Sequence, residues 1–111
     1  MFPAMARSSA AVDVFHAIAD ANRRRLLDAI AWGELSVGEL AKTAELSYSA
    51  VSQHLAILHE SGLVQRRKKG KHRLYRLDPA PLHDVHAWAS RYERFWRGRL
   101  QRLRSILETR R

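Results

Sequence analysis

Residues 47–55 read SYSAVSQHL and crowd four hydroxyls, a carboxamide and an imidazole around Ala50, Val51 and Leu55. Two kinds of chemistry use such a set. A serine within reach of a histidine is the start of a nucleophilic centre, whereas short donors and acceptors along one helix face are what the edge of a base pair requires. The nucleophilic reading lacks its other parts. The sequence has no G-x-S-x-G elbow, no phosphate-cradling glycine loop and no paired-carboxylate motif, so an enzyme is not expected. At 100° per residue, Val51, Leu55 and Leu58 fall in one narrow arc and point to a core, which leaves Ser49, Ser52, Gln53, Ala56 and Glu60 outward. Gln53 suits two-point pairing with adenine N6 and N7. Ser49 and Ser52 suit base edges or phosphate, and Ser47 stands at a helix start where free amides favour a phosphate oxygen. His54 is read as a packing or phosphate contact, and Tyr48 opens the same helix.

Charge supplies the context for that face. Lys plus Arg number 20 against 11 Asp plus Glu, a formal charge of +9, so a polyanion is the expected partner, nucleic acid before an acidic membrane surface. From Ser61 to Leu77 there is no acid, while Arg66, Arg67, Lys68, Lys69, Lys71, Arg73 and Arg76 all occur. Like charges on paired strands repel, a penalty that phosphates would neutralise. Arg67, Lys68, Lys69 and Lys71 are expected nearest the tip of a hairpin, with Arg73 beside them and Gly70 allowing the tight turn. Cysteine is absent, which excludes disulfides, thiolate nucleophiles and thiolate metal sites. No run of eighteen apolar residues occurs and the first residues lack a leader pattern, so the protein is read as soluble and cytoplasmic.

The elements that would position these residues follow from apolar spacing and caps. A first helix is predicted over Ala10–Ala19, with Ala11, Val12, Phe15, Ile18 and Ala19 inward. Asp20 caps a second helix to about Trp32, with Leu26, Leu27, Ile30 and Ala31 inward and Gly33 ending it. Ser36 and Glu39 form a capping box for a short third helix buried through Val37, Leu40, Ala41 and Ala44. Ser47 caps a fourth from Tyr48 to Glu60, closed by Ser61 and Gly62, and the pair makes a helix-turn-helix. Residues 63–68 and 71–77 are two strands joined around Lys69 and Gly70. Pro79 and Pro81 open one last helix over 79–108, with a seam of Leu82, Val85, Ala89, Tyr92, Trp96, Leu100, Leu103 and Leu107. With Trp88 and Phe95 this is too much apolar area for a monomer to expose, so a homodimer is expected, the first helix joining the interface through Val12 and Phe15. Arg23, Arg24 and Arg25 oppose the dipole at a helix start. They meet acids, lie near phosphate, or are solvated, the last being favoured.

The fold class expected is mainly α with a small β-hairpin, ordered α-α-α-α-β-β-α, as one domain over 10–111 behind a flexible terminus over 1–9. The order helix, helix, ELSVGELA, LSYSAVSQHLAILHESGLV, basic hairpin and YRL, over about residues 11–78, resembles the ArsR-type winged helix-turn-helix repressors. The tail RYERFWRGRLQRLRSIL further resembles the branch typified by sporulation-delay autorepressors. The resemblance implies a homodimeric transcriptional repressor, with the helix bearing Ser49, Ser52, Gln53 and His54 in the major groove and the hairpin as wing. Two departures bear on regulation. Where metal-sensing relatives carry two cysteines in the third helix, this chain has Ser36 and Gly38. Asp84 and His86 match half of a second family metal site, but Arg97 and Leu100 occupy its other half. The position after SQHL, often lysine in relatives, is Ala56. No cofactor is expected. His83 and His86, one turn apart with Asp84 or Glu93 near in sequence, are the weak candidates for metal, and unpaired surface histidines are commoner. The alternatives are a metal- or small-molecule-responsive sensor of the same fold and a non-specific nucleic-acid binder.

Overall fold

The computed structural model describes residues 13–109. Its elements are α1 (Val14–Ile18), α2 (Ala21–Ile30), β1 (Leu35–Ser36), α3 (Val37–Ala44), α4 (Tyr48–Glu60), β2 (Val64–Lys69), β3 (His72–Leu77), α5 (Leu82–Ser90) and α6 (Glu93–Thr109). The expected terminus over 1–9 and the residues Ala10 to Val12 lie outside the described residues.

The first four helices each begin on a side chain that satisfies free backbone amides. Asp13 accepts from the amide of His16, and Asp20 from those of Asn22 and Arg23. Ser36 and Glu39 complete the reciprocal capping box, and the Ser47 hydroxyl oxygen accepts from the amide of Ala50 at 3.0 Å. Helix α4 ends in a Schellman motif. Gly62, at φ 83°, donates to His59, and Leu63 donates to the carbonyl of Leu58, both leucines being fully buried. Helix α3 ends with Glu45 itself left-handed at φ 56°, a non-glycine in that region, and this sets the sharp turn into α4.

The core lies where α2, α3 and α4 meet the base of the sheet. Leu26, Ile30, Leu40, Val51, Leu55, Leu58, Leu63 and Val64 are its fully buried side chains. Each contributes about 1.5–3 kcal/mol by leaving water. Strand order is β1-β3-β2, all antiparallel. The two-residue β1 was not expected, because Leu35 and Ser36 are too few to show an alternation.

Three further expectations are corrected. In α1 the buried pair is Val14 and Ala17, while Phe15 and Ala19 are exposed. The inward stripe is therefore rotated, and Phe15 meets Trp88 edge-on at 5.9 Å. Ala31 is exposed, since α2 already ends at Ile30. The single last helix is two, separated at Arg91 and Tyr92, where three bonds (Arg91 to Trp88, Tyr92 to Ala89, Phe95 to Tyr92) span three residues instead of four. No glycine or proline stands there to signal the break. Trp88, Tyr92 and Phe95 continue the aromatic run across it.

Titration of the caps bears on stability. The Asp20 carboxyl is held below its ordinary value chiefly by the backbone amide of Arg23, and Glu39 chiefly by the amide of Ser36. Burial lowers the His59 imidazole, with Arg66 adding to it. A depressed carboxylate stabilises the fold above its unfolded value and loses that contribution as pH falls through the folded one. A depressed histidine acts in the same direction around its own range, because the unfolded chain binds the proton first. The melting temperature is therefore expected to fall in two steps, one below about pH 7 and one below about pH 5. Circular dichroism melts of Asp20→Asn with Glu39→Gln, which keep capping groups without their titration, should flatten the lower step. An unchanged lower step would place the acid sensitivity elsewhere.

Candidate nucleic-acid interface

The SYSAVSQHL segment forms the first two turns of α4. Val51, Leu55 and Leu58 anchor it with no exposure at all, and Ser49, Ser52, Gln53 and Ala56 face outward, as their spacing requires. Tyr48 is 64% exposed at the helix start. Since the Ser47 oxygen is engaged by Ala50, what the first turn offers an anion is the Ser47 O–H and the amides of Tyr48 and Ser49, which precede the intrahelical ladder. His54 departs from the others. It is half-buried, with Nδ1 3.3 Å from Nη1 of Arg23.

That contact explains the arginine triplet. Arg23 is buried; its Nε donates to the carbonyl of Ala17 at 2.7 Å and its Nη2 to that of His16 at 3.2 Å. Arg24 donates to the carbonyl of Ile18 at 2.7 Å, and Arg25 to that of Ala44 at 2.8 Å and to Asn22 Oδ1. None of the three meets an acid: the guanidiniums cap carbonyls at the C-terminal ends of α1 and α3, where a cation meets the favourable end of the dipole, Arg23 from a buried position and Arg24 and Arg25 while still exposed to solvent. Arg23 thereby ties α1 to α4. Arg23 and Arg24 reach carbonyls six or seven residues back at the end of α1, and Arg25 one nineteen residues on; a backbone acceptor carries no side-chain signature, so the triplet's partners were not legible.

The register of the hairpin sorts its cations by face. Lys68 lies opposite Arg73, Arg66 opposite Tyr75, and Val64 opposite Leu77, so these six share one face. At its base that face is core, Val64 and Tyr75 being buried; toward the tip it becomes Arg66, Lys68 and Arg73, all exposed. The other face carries Gln65, Arg67 and Lys69 against Arg76, Leu74 and His72. Lys69 and His72 close the ladder, so the turn itself is Gly70 and Lys71, one residue beyond the expected position. Gly70 has φ 62° and Lys71 is not left-handed, the sign pattern of a type II′ turn. Gln65 Nε2 donates to Asp78 at 3.1 Å and fixes the wing at its root.

Sequence reasoning missed one residue at this surface. Strand β1 brings Glu34 against the wing, where Arg67 grips its carboxylate with a two-nitrogen fork at 2.5–3.1 Å. The fork holds the Glu34 carboxyl below its usual range and raises Arg67. Among the described residues the ion pairs are this one and Arg97 with Glu93 on α6.

The last two helices form a separate surface. Leu82 and Val85 pack on the core and Ala89 is half-buried, but Tyr92, Trp96, Leu100, Leu103 and Leu107 are each 45–57% exposed, with Phe95 and Ile106 beside them. A radius of gyration of 18.0 Å, against about 13 Å for a compact domain of 100 residues, reflects how far α6 stands from the core. His83 and His86 are exposed on α5, and among the described residues no three His, Asp or Glu side chains gather as a metal would require. No helix of the described residues is long and apolar enough to cross a membrane.

Residues 20–66 match the family model described as bacterial regulatory protein, arsR family. Over 82 residues the chain is 43% identical to the HTH-type transcriptional regulator Rv2034 of Mycobacterium tuberculosis, covering 74% of each chain. It is 33% identical over 76 residues to the transcriptional repressor SdpR of Bacillus subtilis, covering 68% of this chain and 84% of that one. A solution structure of a homodimeric winged helix-turn-helix DNA-binding domain from Mycobacterium bovis, described as a possible ArsR-family regulator, superposes with a TM-score of 0.60 at 28% identity, covering 78% and 74%.

Proposed function

The chain belongs to the ArsR family of bacterial regulatory proteins, and from that premise we propose that it is a homodimeric repressor that occludes a promoter by binding an inverted-repeat operator. The observation that carries this reading is the outward ridge of Ser49, Ser52 and Gln53 on α4, set beside a wing that holds seven cations, six on its strands and Lys71 in the turn, and no acid. In the dimer, two α4 helices enter successive major grooves about 34 Å apart. Gln53 reads base edges, Ser49 and Ser52 read edges or phosphate, and the α4 start, through Ser47 and Tyr48, holds a phosphate. Lys68, Lys69, Lys71 and Arg73 contact the backbone from the wing. His54, tied to Arg23, serves chiefly to fix α4. The mechanism is steric and electrostatic, makes and breaks no bond, and operates in the cytoplasm. The dimer is supported by the uncovered α6 seam and by the homodimeric M. bovis neighbour.

Binding titrations on selected duplexes test the division of roles. Gln53→Ala is expected to lose about 1–3 kcal/mol per half-site of the preferred operator and to flatten the preference at one base pair in each half-site. Lys69→Ala is expected to weaken operator and random duplex alike. A wild-type protein that binds its selected operator no better than random duplex would refute sequence-specific repression.

A further inference from the structure

We propose that Glu34 limits the affinity of the DNA interface by holding Arg67 away from phosphate. The inference rests on the DNA-binding reading above and concerns a residue outside both the recognition helix and the wing. Arg67 lies on the wing face that turns away from Tyr75 and the core, and its side chain is 54% exposed, so it stands where a phosphate could reach it. Its fork is nevertheless occupied by both oxygens of Glu34, a carboxylate that is 28% exposed and fixed to β1, the strand paired with β3. A two-point guanidinium–carboxylate pair offers the geometry that a phosphate would, so a phosphate must displace one anion to replace it with another. Of the seven wing cations, Arg67 alone forms an ion pair among the described residues.

Two other roles for Glu34 give different results. If the pair only stiffens the wing, removing the carboxylate should weaken binding. If Glu34 only repels DNA through its charge, its removal should help whether or not Arg67 is present. The experiment measures Kd on operator and on random duplex, from about 50 to 200 mM salt, for wild type, Glu34→Gln, Arg67→Gln and the double variant. Asp28→Asn, an exposed acid on α2, controls for net charge.

The expected result is that Glu34→Gln binds both duplexes more tightly and by the same factor. One released contact per protomer makes the salt slope of the dimer steeper by about two, so the loss between 50 and 200 mM grows about tenfold. The gain should vanish in the double variant and exceed that of Asp28→Asn. Unchanged or weaker binding by a Glu34→Gln protein that melts as the wild type does overturns the proposal, as does a gain that survives loss of Arg67. Failure of the wild type to bind any duplex would instead overturn the DNA-binding reading, and this proposal with it.

Discussion

Raising monovalent salt from about 50 to 200 mM is expected to weaken operator binding by about 10³- to 10⁵-fold. The size follows from counting phosphates. Lys68, Lys69, Lys71 and Arg73 are exposed around the Gly70–Lys71 turn, and the start of α4 adds another anion position, so a dimer reaches about six to ten contacts. Each contact releases condensed counterions, and the logarithm of affinity falls with the logarithm of salt at about 0.9 per phosphate. Replacing Lys68, Lys69 and Lys71 with glutamine removes up to six contacts from a dimer and should reduce the slope by about five. These side chains are exposed and pair with no acid among the described residues, so the fold should survive and the change should fall on binding. Lys68 and Arg73 face each other directly, and relieving that repulsion should raise the melting temperature slightly. Fluorescence anisotropy at five salt concentrations reads the slope, and a flat line would show that phosphates do not carry the binding energy.

Local signals made most of this interface legible. The capping box at Ser36 and Glu39, the Ser47 cap and the 100° periodicity of α4 fix which side chains face out, and each involves residues within four positions of one another. The Schellman close at Gly62 is equally local. Part of what escaped was set by distance along the chain. Glu34 and Arg67 are separated by 33 residues and meet only because β1 joins β3. The Ala44 carbonyl that receives Arg25 is nineteen residues off, whereas those that receive Arg23 and Arg24 are six or seven residues back and escaped because a backbone acceptor has no side-chain signature. Phe15 was assigned inward because its spacing with Ile18 and Ala19 fits a helix face, but a five-residue helix contains too little periodicity to set the phase. The heptad-like seam from Leu82 to Leu107 likewise ran through a break that its spacing does not register.

That seam governs the second large effect. Leu103→Glu in α6 is expected to turn a dimer into a monomer and to reduce operator affinity by about 10²- to 10⁴-fold, while binding to an isolated half-site changes little. The argument compares two environments of one side chain. In a single protomer Leu103 is 53% exposed and no residue of α6 is buried, so a glutamate there costs the fold little, and its helix propensity is close to that of leucine. In a dimer that covers the seam with its own copy, the same carboxylate would lie among Trp96, Leu100 and Leu107, where an unpaired charge is far more costly than the lost methyl contacts. Losing the dimer does not alter the α4 ridge. It removes the tether that makes the second half-site an intramolecular event, which is why the effect falls on the full operator. Light scattering after size exclusion gives the mass, circular dichroism checks that the helices persist, and titration of full and half operators separates tethering from contact. A variant that remains dimeric at full affinity would assign the interface to another surface. A wild type monomeric at micromolar concentration would leave the exposed row from Tyr92 to Leu107 without the partner argued for it.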